Sequence, residues 1–387
     1  MTIRAGVLAM ALGVPMHLAA QVQKDSVAAP RATADSGTPP WQYGAYAAIP
    51  YLGAPNEPDN HVWRSRGTTF VLNGLQLDMA NAYVRRAAAA NSRLGMEFTL
   101  QAGIDTRVFG FSATAPNIHG WRTLRQFGPT NVSYLAPVGN GLTLQGGIFG
   151  SYIGYDALYA KDNLNYTRPW GADYTPYFML GANAQYPFGS KVTGTLLLVN
   201  GYWHLARANN VPSTGGQIAY KPMDHLTIKH TVLYGPHQSS TALEFWRVLF
   251  DNIAEWRTDR VVVALEYFVG AEKVDSTGTP GTVWMSAQLP MRYTFNPHVT
   301  LAFRPELYWD PDGRTTLARQ SVKATTATLE LRQPSGASNV ILRLEHRLDG
   351  SRGPDGGFFR DGAGQLVPTQ NLFIAALLLN YDGKSHD

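Results

Sequence analysis

The segment TLAFRPELYWD, residues 300–310, poses the question on which the fold turns. Successive side chains of an extended strand point to opposite faces. One face here would carry Leu301, Phe303, Pro305, Leu307 and Trp309, and the other Thr300, Ala302, Arg304, Glu306, Tyr308 and Asp310. The first face is wholly apolar and the second is charged. A half-buried strand of a soluble sandwich alternates in the same way. The choice between the two environments therefore rests on how many such strands the chain holds and how they are joined.

The alternation recurs along the chain. Residues 92–105 set Leu94, Met96, Phe98, Leu100, Ala102 and Ile104 against Arg93, Glu97, Thr99, Gln101 and Asp105. Residues 260–269 set Val261, Val263, Leu265, Tyr267 and Val269 against Arg260, Val262, Ala264, Glu266 and Phe268. Residues 340–349 set Val340, Leu342, Leu344, His346 and Leu348 against Ile341, Arg343, Glu345, Arg347 and Asp349. The connections alternate too. Short ones include APVGNG (136–141), PFGSK (187–191), FNPH (295–298) and QPSGAS (333–338). Between them lie longer loops at 52–67, 107–122, 151–175, 204–213, 235–242, 271–281, 311–321 and 350–369.

Short turns on one side and long loops on the other are the habit of outer-membrane barrels. The pattern predicts an all-β fold: a transmembrane antiparallel up-and-down β-barrel of about 16 strands, within roughly 14–18, with short periplasmic turns and long extracellular loops. The least marked strands are those at 41–51, 215–222 and 243–256. In such a barrel the apolar face meets lipid and the charged face lines a wet lumen. Leu301 and Leu344 should then reject arginine, whereas Thr300 and Thr328 on the other face should accept it.

Composition agrees. Charged residues are 16% of the chain, against about 25% in soluble proteins. Outside the N-terminus no apolar run approaches the roughly 20 residues of a membrane helix. Cysteine is absent, which excludes disulfides and a lipid anchor on a thiol. A net charge of +4 without a basic run gives no footing for nucleic acid.

The opening MTIRAGVLAMALGVPMHLAAQVQ has a positive residue, an apolar core and small residues before Gln21. It reads as a secretory signal over residues 1–20. Residues 21–40 lack periodicity and read as a disordered leader, and residues 41–387 as the barrel. Tyr83, Tyr134, Tyr186, Tyr220, Trp256, Tyr293 and Tyr381 are expected to ring the short-turn side. Tyr51, Tyr152, Tyr202, Tyr234, Tyr267 and Trp309 are expected to ring the other, as bilayer interfaces ask. The final strand places Phe373, Ala375, Leu377, Leu379 and Tyr381 outward.

One region carries a family likeness. GGIFGSYIGYDALYAKDNLNYTRPWGADYTPYFMLGANAQYPFG at 146–189, followed by LLLVNGYW at 196–203, resembles the OmpL-like outer-membrane β-barrel porins. The likeness is carried by residues 147–154, by AKDNLNYTR at 160–168 and by Asn200, Gly201 and Tyr202. It implies an outer-membrane barrel with a pore role, and neither a defined substrate nor catalytic residues.

Reactive constellations are not legible. The chain has no G-x-S-x-G elbow, no H-E-x-x-H and no glycine-rich phosphate loop. His225 and His230, five apart, fall on opposite faces of a strand, and no metal, cofactor or catalytic residue is expected. DPDGR at 310–314 starts like a calcium loop but lacks the later ligands, and reads as a turn. The candidates are instead pore-lining charges on three adjacent strands: Arg304, Glu306, Glu330, Arg332, Arg343, Glu345 and Arg347. They would neutralise one another or set a transverse field across a channel.

The loop at 151–175 is long and aromatic, which argues for function over disorder. Tyr155, Asp156, Tyr159, Lys161, Asp162 and Arg168 are its candidate constriction residues, by analogy with porins whose third loop folds inward. The function that follows is passive diffusion of small hydrophilic solutes through a bacterial outer membrane. The partners expected are lipid, lipopolysaccharide and those solutes, with oligomers compatible with the class and no nucleic acid. A non-conducting structural or adhesion barrel, and an outer-membrane lipid-modifying enzyme, stay open as alternatives.

Overall fold

A computed structural model of the chain describes residues 38–110, 120–202, 204–238, 241–274, 281–361 and 364–385. The signal expected at 1–20, and all but residues 38–40 of the leader, lie outside the described residues.

The strands are β1 (Gln42–Gly53), β2 (Met79–Arg86), β3 (Leu94–Ala102), β4 (Thr130–Ala136), β5 (Leu142–Gly150), β6 (Phe178–Pro187), β7 (Val192–Val199) and β8 (Ser213–Met223). They continue as β9 (Leu226–Pro236), β10 (Trp246–Arg257), β11 (Val261–Glu272), β12 in two segments (Thr282–Gln288 and Met291–Asn296), β13 (Val299–Asp310), β14 (Gln320–Ser335), β15 (Ser338–Arg352) and β16 (Thr369–Lys384). Both segments of β12 pair with β11 on one side and β13 on the other. They are one strand interrupted at Pro290, where the ladder loses a donor.

Every strand is antiparallel to its neighbours, and the sheet closes. β1 pairs with β16 from Gln42↔Lys384 to Gly53↔Phe373, and with β2 from Gln42↔Arg85 to Ala48↔Met79. The result is a closed barrel of 16 strands, with both described ends at the short-turn rim. Closure matters because an open edge in hydrocarbon leaves each unpaired backbone group costing several kcal/mol. The three least marked strands of the sequence form as β1, β8 and β10.

The opening question is answered by β13. Leu301 is 45% exposed and Trp309 37%, while Arg304 and Asp310 are at 0%. A soluble sandwich would bury the apolar face; here the charged face is inside. The same inversion runs through β15, where Val340, Leu342, Leu344, His346 and Leu348 are exposed and Ile341, Arg343, Glu345, Arg347 and Asp349 are buried.

Some expectations fail at strand ends. β3 stops at Ala102, not Asp105, because Gly103 (φ 121°) turns the chain into a 3₁₀ turn over Ile104–Gly110. Ile104 is therefore not a lipid-facing residue. The first long loop runs to residue 78 instead of 67. The Thr68 and Thr69 amides bond to Asp173 and Asp105 rather than to a strand. Tyr83, Tyr152 and Tyr202 leave the aromatic rings and point inward. Tyr83 donates to Asp382 at 2.5 Å, Tyr152 is buried in the third long loop, and Tyr202 lies 4.6 Å under the Arg247 guanidinium. Tyr51, Tyr134, Tyr220, Tyr234, Tyr267, Trp256, Tyr293, Trp309 and Tyr381 are exposed as expected.

Candidate pore and its inner loop

The connection between β5 and β6, residues 151–177, packs inside the barrel. Most of it is buried, with Tyr166 at 0% and Trp170 at 1% exposure. A buried loop must place every backbone N–H and C=O, and apart from the short 3₁₀ turns Ala160–Asp162 and Gly171–Tyr174 this one has little secondary structure to do it. The charged inner wall supplies the partners. Asp251 accepts the N–H of Gly154 at 2.8 Å, and Glu266 that of Tyr155 at 3.1 Å. Glu345 accepts those of Tyr166 at 2.7 Å and Thr167 at 3.0 Å, and Glu306 that of Trp170 at 2.5 Å. Arg343 donates to the carbonyls of Ala160 (2.7 Å), Asn163 (2.9 Å) and Asn165 (3.1 Å), and Arg347 to that of Arg168 (3.1 Å).

These wall residues are themselves paired. Arg347 lies 2.8 Å from Glu306 and 2.9 Å from Asp349. Glu330 sits 2.8 Å from both Arg332 and Arg343. Arg304 lies 3.4 Å from Glu306 and 3.9 Å from Asp156. The seven charges singled out on the wall thus lie together on β13, β14 and β15, as two ion-pair groups, Arg304–Glu306–Arg347 and Arg332–Glu330–Arg343, with Glu345 accepting the Thr328 hydroxyl at 2.6 Å. Arg332 alone among them reaches toward open space; the others are buried under the loop.

The loop residues divide. Tyr155 donates its hydroxyl to Glu255 at 2.7 Å, and Asp156 accepts from Gln288 at 2.7 Å. Tyr159 donates to Gln101 at 2.7 Å. Lys161 pairs with Asp162 at 2.9 Å. Arg168 turns the other way, to Asp105 at 2.8 Å and Thr69 at 2.8 Å. Burial works against the Arg168 guanidinium, but Asp105 together with Tyr177, Tyr166 and Tyr46 holds the group protonated well above its usual range.

Residues the sequence did not single out complete the clamp. Arg66 of the first long loop lies 2.9 Å from Asp173, which also accepts the Gly67 amide at 3.0 Å and the Thr68 hydroxyl at 2.6 Å. Asp78 accepts the Tyr166 hydroxyl at 2.7 Å. A faint signal existed for Asp105 and Glu266, which alternation puts on the face opposite the apolar one. Arg66 and Asp173 lie in loops, where periodicity says nothing.

The opposite inner wall differs in chemistry. On β4, β5 and β6, Gln145 donates to Asn131 and Asn183 donates to Gln145, both at 2.8 Å. A cavity of about 450 Å³ runs between this amide wall and the loop, down to Arg85, Arg332 and Asp382 near the short-turn rim. Asp310, the head of the DPDGR turn, spends its carboxylate on the amides of Arg314, Thr315 and Thr316 at 2.7–3.0 Å.

A closed barrel with a lipid-facing apolar band, and a loop folded inside, defines a porin-like protein of the bacterial outer membrane. The chain belongs to the family described as "Putative beta-barrel porin-2, OmpL-like", whose model matches residues 41–381. Solved structures share the fold at low identity. The Salmonella typhi OmpF complex with daunomycin superposes with a TM-score of 0.57 at 12% identity, covering 89% of this chain and 98% of that one. An anion-selective porin from Comamonas acidovorans gives 0.54 at 11%, covering 88% and 98%. The trimer form of OmpT, an outer membrane protein of Vibrio cholerae, gives 0.51 at 9%, covering 90% and 100%. No curated protein matches the sequence.

Proposed function

We propose that the protein is a passive diffusion channel for small hydrophilic solutes, and not an enzyme. The observation that carries this is the inner loop, held mainly by the charged wall of β10–β15, while a cavity stays open beside the amides of β4–β6. A barrel of about 16 strands is wide enough to leave an aqueous channel, and a loop docked on one side narrows it without filling it. Residues 151–177 act as the constriction. The charges Arg304, Glu306, Glu330, Arg343, Glu345 and Arg347 act mainly by holding that loop, so the transverse field is largely spent on the loop backbone. Arg85, Glu97, Lys161, Asp162, Arg332 and Asp382 are the charges beside the open space. The trimer named for the Vibrio cholerae protein favours an oligomer here as well.

The test is reconstitution of the refolded chain in planar bilayers. Stepwise, ohmic conductance increments support the reading. A folded barrel that gives no current at any salt concentration would make it a non-conducting structural barrel.

A further inference from the structure

The inner wall of the barrel is chemically divided. From β10 to β15 it bears carboxylates and guanidinium groups, of which Asp251, Glu266, Glu306, Arg343, Glu345 and Arg347 bond the backbone of the inner loop. From β2 to β6 it bears mostly amides and hydroxyls, with Arg85 and Glu97 set 3.9 Å apart, and this is the half the cavity follows. We propose that the cavity is a passage for neutral polyhydroxylated solutes, of the saccharide class, guided by the amide wall of β4–β6 and the tyrosines of the loop. The proposal rests on the channel reading above and names the solutes that channel takes.

Three features of the cavity support it. The first is the amide ladder. Asn131, Gln145 and Asn183 stand on consecutive strands, linked amide to amide at 2.8 Å, and Tyr152 closes the row with its hydroxyl 3.5 Å from Asn183. Each amide offers donors and acceptors together, which suits a hydroxyl that must both give and accept. Such a row can pass a solute along by exchanging one partner at a time.

The second is the aromatic side. Tyr152, Tyr159, Tyr177 and Phe178 border the same space from the loop and the start of β6. Rings facing a row of amides match a molecule with apolar C–H faces and a polar hydroxyl rim. At about 450 Å³ the cavity lies within the roughly 300–1,000 Å³ of small-molecule sites.

The third is charge. Three cationic residues border the cavity (Arg85, Lys161, Arg332) and three acidic ones (Glu97, Asp162, Asp382), so their sum is zero. Each has a partner. Arg85 lies 3.9 Å from Glu97, Lys161 2.9 Å from Asp162, Arg332 2.8 Å from Glu330, and Asp382 accepts from Tyr83 and Asn380 at 2.5 Å. Burial raises the Asp162 carboxyl and Lys161 opposes the rise; in either protonation state the cavity stays within one charge of neutral. An ion meets no net charge here, and it must give up hydration that amides and tyrosines replace only in part.

The experiment is liposome swelling with the full refolded chain and three solutes of one ring size: glucose, glucuronate and glucosamine. Glucose is expected to enter about five-fold faster than either charged analogue. Asn183→Leu should lower the ratio of the glucose rate to the glucuronate rate. Gln145→Glu, nearly isosteric and hence tolerant of folding, should turn the preference toward glucosamine. If the channel works but the charged sugars enter as fast as glucose, the saccharide proposal is overturned and the channel reading survives. If no solute enters and no current flows, both fall. An unaltered order of rates in folded Gln145→Glu would also overturn the proposal, because the passage would then lie elsewhere.

Discussion

The Glu345 carboxylate, at the middle of β15, accepts the backbone N–H of Tyr166 at 2.7 Å, 179 residues away in sequence. Its other oxygen takes the Thr167 N–H at 3.0 Å. One wall side chain thus does for the loop what a neighbouring strand would do. Glu345→Ala should strand four buried donors, the two amides and the Thr167 and Thr328 hydroxyls, at about 1–3 kcal/mol each, and release the segment around Tyr166. The barrel ladders do not depend on it. Single-channel recordings should become noisier with larger open levels, while heat-modifiable gel mobility stays that of a folded barrel. Glu345→Gln keeps an acceptor oxygen and should fall between. Currents as steady as those of the parent protein would show that the loop is held by other means.

Removing residues 159–168 should enlarge the pore. The deletion takes out Arg168 and leaves Asp105 buried without its cation, so it is best made together with Asp105→Asn. Conductance should rise about two-fold with the barrel folded. If it does not change, the narrowest point lies outside this loop.

The two faces of the wall should answer oppositely to arginine. Leu301→Arg or Leu344→Arg, on the lipid face, should cost about 2–4 kcal/mol near the membrane midplane. Thr300→Arg should be tolerated, since Thr300 is only partly buried and pairs across the ladder with Glu330. Thr328→Arg, acceptable on alternation alone, is now expected to fail. Thr328 is 1% exposed and donates to Glu345 at 2.6 Å under Asn165. Urea midpoints of the four refolded variants should separate Thr300→Arg from the other three.

Acid should loosen the surface loops that carry His204 and His237. The two rings stack at 6.3 Å beneath the long-loop rim. Burial pushes His204 from the usual 6.5 down to about 4, aided by Arg247, and pushes His237 well below 6.5, aided by Arg247, His204 and Arg314. A lowered histidine pKa means the opened loops bind the proton more readily than the packed ones. The packing is therefore intact above about pH 6.5 and weakens progressively as pH falls toward 4. Proteolytic nicking in residues 200–212 or 237–245 should rise about ten-fold from pH 7 to pH 4.5 with an acid-tolerant protease, and His204→Phe should blunt the rise. A flat profile in the parent protein would remove these histidines as the cause.

The sequence by itself determined the barrel. A two-residue period along β13, β15 and β16 separates lipid face from lumen face. Alternating connection lengths say which rim is which, and both are local properties that a strand expresses wherever it pairs. It also placed the seven wall charges on one arc, because adjacent strands share register. Only the tertiary structure decided what those charges do. Arg343 and Glu345 read from sequence as pore-lining, yet their partners are the backbone of Ala160, Asn163, Asn165, Tyr166 and Thr167, and a main chain has no residue-type signature to find. The same holds for Asp105 with Arg168, and for Arg66 with Asp173, pairs made by loops folding across the lumen. The neutral arc of Asn131, Gln145 and Asn183 stayed silent for a different reason. A lone amide on a strand is ordinary, and three of them form a row only once the pairing of β4, β5 and β6 sets their side chains beside one another.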